Sequence, residues 1–179
     1  MPVTPKIILY IACSLDGYIA RKNGSVDWLS ELEADSEDYG YQKFYASVDA
    51  LCMGCKTYQQ IVGFGEWPYP NKPCYVFSHH HLAIRHPGVV IVQEAPEQFV
   101  KSFAEKNNYR IWLVGGSDLT KTFLSHGLLH EIIITYIPVL LGDGIPLFQP
   151  EIPERNLKFL RSVEYPRGLV QIHYQLGVP

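Results

Sequence analysis

The chain has 179 residues, 47% of them hydrophobic and 13% aromatic, enough to close one substantial core and within the size of a single domain. Its formal charge of -3 leaves no basic excess with which to approach a phosphodiester polymer, so nucleic acid is not expected as a partner. The apolar run from Ile7 to Cys13 is far shorter than a membrane span and Asp16 soon follows it; no targeting or anchoring segment is expected, and the expected location is the cytoplasm. In chain order, residues 6–13 read as a buried strand and 36–47 as a helix turning Tyr41, Phe44 and Tyr45 inward. Residues 49–53 read as a strand, 56–62 as a short helix, and 74–78 and 89–93 as strands. A helix over 96–106 opens on Pro96, and 110–114 is again an apolar strand. A helix over 117–126 has Ser117 as its N-cap and Gly127 as its stop. Residues 130–137 form a strand, and 157–165 with 169–176 flank Pro166, Arg167 and Gly168 as a hairpin.

Strands that alternate with helices call for a largely parallel sheet, and the tail adds an antiparallel pair to it. The expected architecture is a single domain over residues 1–179. It is an α/β fold, a three-layer α/β/α sandwich around a mixed sheet of about eight strands that ends in a C-terminal antiparallel hairpin. The apolar stretch Ile132 to Leu141, followed by Ile145 to Phe148, exceeds what one layer of helices covers, so a homodimer through this region and the hairpin is expected.

Chemistry concentrates where strands end. Val114, Gly115, Gly116 and Ser117 lead from a strand into a helix, a geometry that lets a phosphate reach backbone N–H groups at the positive end of the helix dipole. A tight turn that merely needs glycine explains the pair equally well, and it is not the spaced glycine fingerprint of a Rossmann fold. Gly54, Lys56 and Thr57 form a second strand-to-helix junction, readable as a phosphate contact or as an ordinary capped helix. Ser78 is followed by His79, His80 and His81, which offer an anion contact or a solvated loop; adjacent imidazoles do not readily converge on one metal ion, and no metal is expected. Cys52 and Cys55 have redox or zinc spacing but no second pair, and Cys52 alternates like a core strand residue. Asp16, in a turn after the first strand, is the first carboxylate at a strand end. Ser25 and Ser117 lack the context of a catalytic serine.

Taken in order, SLDGYIA (14–20), MGCKTY (53–58), YVFS (75–78), VGGSDL (114–119) and LLHEIIITYIPVLLGDGIPLF (128–148) resemble the dihydrofolate reductase superfamily, in the branch of the riboflavin-biosynthesis reductase domain (the RibD C-terminal domain). The resemblance covers essentially the whole chain. It implies an NADPH-dependent reductase of a small molecule carrying a C=N or C=O group, such as a heterocycle or a ribosylamino-pyrimidine. It implies that Gly115 and Gly116, commonly joined by a cis peptide, face the pyrophosphate, with Val114 before them and Ser117, Asp118 and Leu119 opening the helix. Gly54, Lys56 and Thr57 would meet the adenine-side phosphates, Ser78 and His79 the 2′-phosphate, and Ala12 and Ile19 the nicotinamide. Asp16 would be the polar group nearest the reacting atoms, and Asp38 and Tyr41 would contact substrate. Relatives of this branch commonly form homodimers. The family usually has Arg where this chain has Cys55, which removes a phosphate-binding guanidinium. Trp28 and Leu29 lead into Ser30 and Glu31 without the proline of dihydrofolate reductases proper, which disfavours a pterin substrate. Two alternatives stand beside the reading: a pterin reductase, and a nucleotide-binding module without turnover.

Overall fold

The computed structural model describes residues 4–30 and 37–177. Among these residues ten strands form: β1 (Lys6–Ser14), β2 (Tyr18–Ala20), β3 (Ala50–Gly54), β4 (Cys74–Phe77), β5 (Val89–Val92), β6 (Arg110–Gly115), β7 (Glu131–Ile137), β8 (Ile145–Pro146), β9 (Leu157–Tyr165) and β10 (Leu169–Leu176). Eight of them make one sheet in the order β5-β4-β3-β6-β1-β7-β10-β9, while β2 and β8 pair separately. The six strands from β5 to β7 in that order run parallel; β10 is antiparallel to both β7 and β9. Among the described residues the α-helices with bounds are α1 (Tyr41–Ala46), α2 (Cys55–Gly63), α3 (Pro96–Lys101) and α4 (Ser117–Ser125).

The central parallel strands of the sheet are buried on both faces, because each crossover helix covers one of them. Residues alternate across it. Ile7, Leu9, Cys52, Ile111, Leu113, Ile132 and Ile134 pack with Phe99 and Val100 of α3 and Leu119, Phe123 and Leu124 of α4. Ile8, Leu51, Met53, Val76, Trp112 and Ile133 pack with Phe44 of α1 and Tyr58 of α2. Trp112 is the hub of that second layer: Tyr10, Tyr41, Phe44, Tyr45 and Tyr69 all meet it edge-on at 5.4–6.4 Å between ring centres. Its indole N–H donates to the Tyr10 carbonyl at 3.0 Å. The three-layer α/β/α architecture and the C-terminal antiparallel pair are as the sequence implies.

Beyond one-residue shifts at several element ends, the following differences have local reasons. The helix expected over 36–47 begins at Tyr41, with residue 36 outside the described residues, because Tyr39 and Gly40 take positive φ (51° and 78°) and turn the chain just before it. The helix expected to reach residue 106 ends at Lys101. Beyond it Phe103, Ala104 and Lys106 bond back three residues, which tightens the chain into successive turns. The third difference is Ile145–Pro146, which pairs with β2 as a strand of its own.

Part of the apolar stretch around β7 is used within the chain. Ile132, Ile133, Ile134, Ile137 and Leu147 are buried because β7 lies between β1 and β10. Exposed apolar side chains remain in the same stretch at Leu140 and Phe148, 70% and 36% exposed, and on the edge strand β9, where Leu157, Phe159 and Leu160 are 41%, 56% and 43% exposed. Among the described residues no helix is long and apolar enough to cross a membrane.

Beneath β10 lies a buried polar chain. His173 Nε2 donates to Gln171 Oε1 at 2.8 Å, and Gln171 Nε2 donates to Thr135 Oγ1 at 3.0 Å. Arg161 Nε donates to His173 Nδ1 at 3.4 Å, so the arrangement suits neutral imidazole only. Burial, reinforced by Arg161, lowers the His173 pKa to about 4. Between that value and about 6.5 the unfolded chain binds the proton that the fold refuses, so stability falls as pH falls through this window. We expect His173→Gln, which removes the titration, to flatten the decline of Tm between pH 6.5 and 4. Unfolding curves of the two proteins that decline in parallel would contradict this.

Candidate functional site

Because β5, β4, β3, β6 and β1 are neighbours and parallel, their C-terminal ends open on one side of the sheet, where open α/β sheets take ligands. A cleft of about 730 Å³ lies there, lined by residues that leave all five strands. With about 4.8 Å between neighbouring strands, it spans about 19 Å.

At its centre α2 and α4 begin. The N-cap residues are Gly54 and Gly116, and neither helix has a side-chain cap, so the first-turn N–H groups face the cleft without a side chain upon them. Ser117, expected as the cap, is instead the first helical residue, and its hydroxyl accepts from Gln149 Nε2 at 3.1 Å. The Gly115–Gly116 peptide is cis. The two strand-to-helix turns almost touch: a Cβ on Gly116 would lie 3.2 Å from Thr57 Oγ1, and one on Gly54 would lie 3.9 Å from the Gly116 nitrogen. Lys56 Nζ and Asp118 Oδ2 are 4.0 Å apart on side chains that are 93% and 75% exposed, a pairing that water and salt reduce to little.

Towards β4 and β5 the lining is Phe77, Ser78, His79, Glu94, Ala95 and Pro96. The Ser78 hydroxyl donates to the His80 carbonyl at 2.9 Å and accepts the His80 N–H at 3.1 Å, which pins the turn that carries His79. Towards β1 the lining turns apolar, with Ile11, Ala12, Ile19, Ala20, Val26, Leu29 and Ile145. Ile19 and Ala20 come from β2 and Ile145 from β8, so the small two-stranded sheet forms this wall.

All thirteen residues expected around a cofactor line this one cleft: Ala12, Ile19, Gly54, Lys56, Thr57, Ser78, His79 and the run Val114 to Leu119. Asp16, Asp38 and Tyr41 do not. Asp16 is exposed and outside the cleft lining, and its carboxylate is engaged by three donors. Its Oδ1 accepts from the Ser14 hydroxyl at 2.6 Å and the Leu141 N–H at 3.1 Å, and its Oδ2 accepts from the Gly142 N–H at 2.7 Å. The Ser14 hydroxyl above all, with the two amides, holds its carboxyl below the usual carboxylate range, so at neutral pH it carries no proton to give. Asp38 accepts from the Gly40 and Gln42 N–H groups, both at 3.0 Å, and so caps α1. Tyr41 stacks on Tyr45 and meets Trp112 edge-on. Cys52 is wholly buried in β3, which is the packing role, whereas Cys55 lines the cleft. Among the described residues no group of three or more His, Cys, Asp or Glu is arranged to hold a metal.

Gln60, Glu94, Thr122 and Gln149 line the cleft without having been singled out by sequence. Gln149 donates to Ser117 and to Asp118, more than thirty residues earlier in the chain, and no local pattern announces such a contact.

The sheet order and the cleft at its strand ends define a dihydrofolate reductase-like architecture, and comparison with known proteins narrows it. The RibD C-terminal domain family matches residues 5–171, and the chain belongs to that family. Uncharacterized protein YwjB of Bacillus subtilis (strain 168) is 38% identical over 170 residues, covering 94% of this chain and 97% of that one. The crystal structure of a putative riboflavin biosynthesis protein from Shewanella sp. PV-4 superposes with a TM-score of 0.87 at 30% identity, over 96% of this chain and 99% of that one. The diaminohydroxyphosphoribosylaminopyrimidine deaminase/5-amino-6-(5-phosphoribosylamino)uracil reductase of Thermotoga maritima shares the fold, with a TM-score of 0.71 at 18% identity. That match takes 97% of this chain and 57% of the longer one. These likenesses support a reductase-like function.

The wall itself is testable. A Cβ on Gly144 would lie 2.3 Å from the Ala20 carbonyl oxygen and 3.3 Å from the Tyr18 ring, both in the strand it faces. Gly144→Ala should therefore push β8 from β2 and destabilise the protein by about 1–3 kcal/mol, the usual cost of overpacking. Denaturant unfolding that gives the parent midpoint would contradict the contact.

Proposed function

We propose that this chain, acting as a single cytoplasmic domain, is a reductase that binds NADPH along the cleft. Its substrate in this reading is a small heterocyclic or ribosylamino-pyrimidine compound related to that of 5-amino-6-(5-phosphoribosylamino)uracil reductase. The observation that carries the reading is the pair of uncapped helix N-termini, at Gly54–Cys55 and Gly116–Ser117, opening into one cleft. Two such ends offer N–H donors and dipole charge to a pyrophosphate, and the absence of a Cβ at Gly116 keeps the approach open. Ser78 and His79 would take the adenosine end, and Ala12, Ile19 and Ile145 would flank the nicotinamide. The bound cofactor would supply hydride. This chain's residues orient the ring, and the apolar wall keeps water from the face where substrate lies.

A second reading, binding without turnover, draws on one feature: the described lining around Ala12, Ile19 and Ile145 brings no titratable side chain to the nicotinamide end. Oxidation of NADPH in a screen of carbonyl and imine substrates separates the two. Binding itself is read by thermal shift, since NADPH at a hundred times its Kd should stabilise the fold by about 2.7 kcal/mol. At Gly116, φ is -76° and ψ is -168°, an extended conformation that valine adopts, so Gly116→Val should fold yet lose the shift by crowding Thr57 and the phosphate space. A flat titration of the parent, or a shift that survives in the variant, would overturn the assignment.

We also propose a homodimer, formed by the exposed edge strand β9 with its counterpart in a second copy. Leu157, Phe159 and Leu160 lie in the open on a nine-residue edge whose outer backbone groups have no sheet neighbour. Light scattering should give twice the 20.4 kDa chain mass, and Phe159→Lys should return it to one chain. A monomeric parent at micromolar concentration would refute the dimer.

A further inference from the structure

The segment that follows β7 is tied to the β1–β2 turn at several points, and most of them are backbone groups. Leu15 N–H donates to the Val139 carbonyl at 2.9 Å, and Leu147 N–H donates to the Gly17 carbonyl at 2.8 Å. Between these two, the Asp16 carboxylate takes both Leu141 and Gly142 N–H groups. The Ser14 hydroxyl donates to Asp16 and accepts the Tyr18 N–H at 2.9 Å, so the same pair sets where β2 begins. Lys22 and Asp143 form an ion pair further along the same seam. What the seam holds together is the β2–β8 sheet, the source of Ile19, Ala20 and Ile145 on the apolar wall of the cleft.

We infer that Asp16 is a positioning residue, a latch whose carboxylate fixes residues 138–147 to the β1–β2 turn and thereby sets the Ile19 and Ile145 wall against the nicotinamide end of a bound dinucleotide. The last clause rests on the dinucleotide reading; the latch itself rests on the hydrogen bonds. Asp16 suits the task by chemistry. An ionised carboxylate can accept from three donors at once, and such charge-assisted bonds are about twice as strong as neutral ones. Asparagine of the same shape keeps one acceptor oxygen and turns an N–H donor toward one of the two backbone amides. Asp16 is exposed, so water takes up part of what is lost. The change should therefore loosen the wall more than it destabilises the fold.

The test compares the parent with Asp16→Asn by hydrogen exchange and by titration calorimetry. The two ligands are NADPH and 2′-phospho-ADP-ribose, which lacks the nicotinamide. In D16N the Leu141, Gly142 and Tyr18 amides should exchange at least tenfold faster. NADPH should bind at least tenfold more weakly, and 2′-phospho-ADP-ribose should bind within twofold of the parent. Ser14→Ala, which removes the hydroxyl orienting the carboxylate, should show the same pattern at smaller size and serves if D16N does not fold. Unchanged exchange in both variants overturns the latch whatever the ligands do. Faster exchange with equal weakening of the two ligands overturns its assignment to the nicotinamide end. Faster exchange in a chain whose parent binds neither ligand upholds the latch and overturns the dinucleotide reading alone.

Discussion

The site depends on how closely two strand-to-helix turns approach each other. β3 and β6 are parallel neighbours, each ends in glycine and each runs at once into a helix. With a Cβ on Gly116 only 3.2 Å from Thr57 Oγ1, a larger side chain would both part the turns and fill the space between the two helix ends. Glycine at these junctions does two things with one property: it permits the crossing and leaves backbone N–H groups open. The ladder between β3 and β6 steps out of register between Cys52 and Met53, so that Met53 pairs with Gly115, and the shift brings the two turns to the same level.

Sheet and site were legible in the sequence to different depths. Buried strands such as Lys6–Ser14 and Arg110–Gly115 announce themselves as apolar runs, because a parallel strand covered on both faces has no polar side to show. The hairpin Leu157–Tyr165 and Leu169–Leu176 was marked by the Pro-Arg-Gly turn between its strands. The two-residue strand Ile145–Pro146 carries no periodicity at all, and it exists only because residues 138–147 are tied down elsewhere. The same limit applies to side chains. The glycines, Thr57 and Ser78 were readable because local chemistry at a strand end singles them out. Gln149 reaches Ser117 through a contact that closes only in the folded chain.

Asp16 shows where local sequence stops short of a residue's contacts. A carboxylate at a strand end beside a glycine has the look of a catalytic group, and nothing in the local sequence distinguishes that from a turn. What the fold adds lies 125 residues away, in the Leu141 N–H and, beside it, the Gly142 N–H, which donate to the two carboxylate oxygens. Asp38 likewise bonds within the chain, accepting from the Gly40 and Gln42 amides at the start of α1.

These assignments change how charge is handled in the cleft. Among the described residues the lining holds Lys56 against Glu94 and Asp118, with His79 as the remaining basic side chain and Cys55 at the start of α2. Lys56 is already near Asp118, and both side chains stand in water, so neither sign of charge dominates the centre of the site. An anion bound there would be met chiefly by fixed dipoles, the first-turn N–H groups of α2 and α4, whose orientation is set by the sheet and costs nothing to arrange when ligand arrives. Dipoles act over a short range compared with a guanidinium, and their strength rests on geometry more than on ionic strength. The specificity of such a cleft then resides in the shape of its backbone, and the glycine junction between β6 and α4 matters more to it than any one charged side chain.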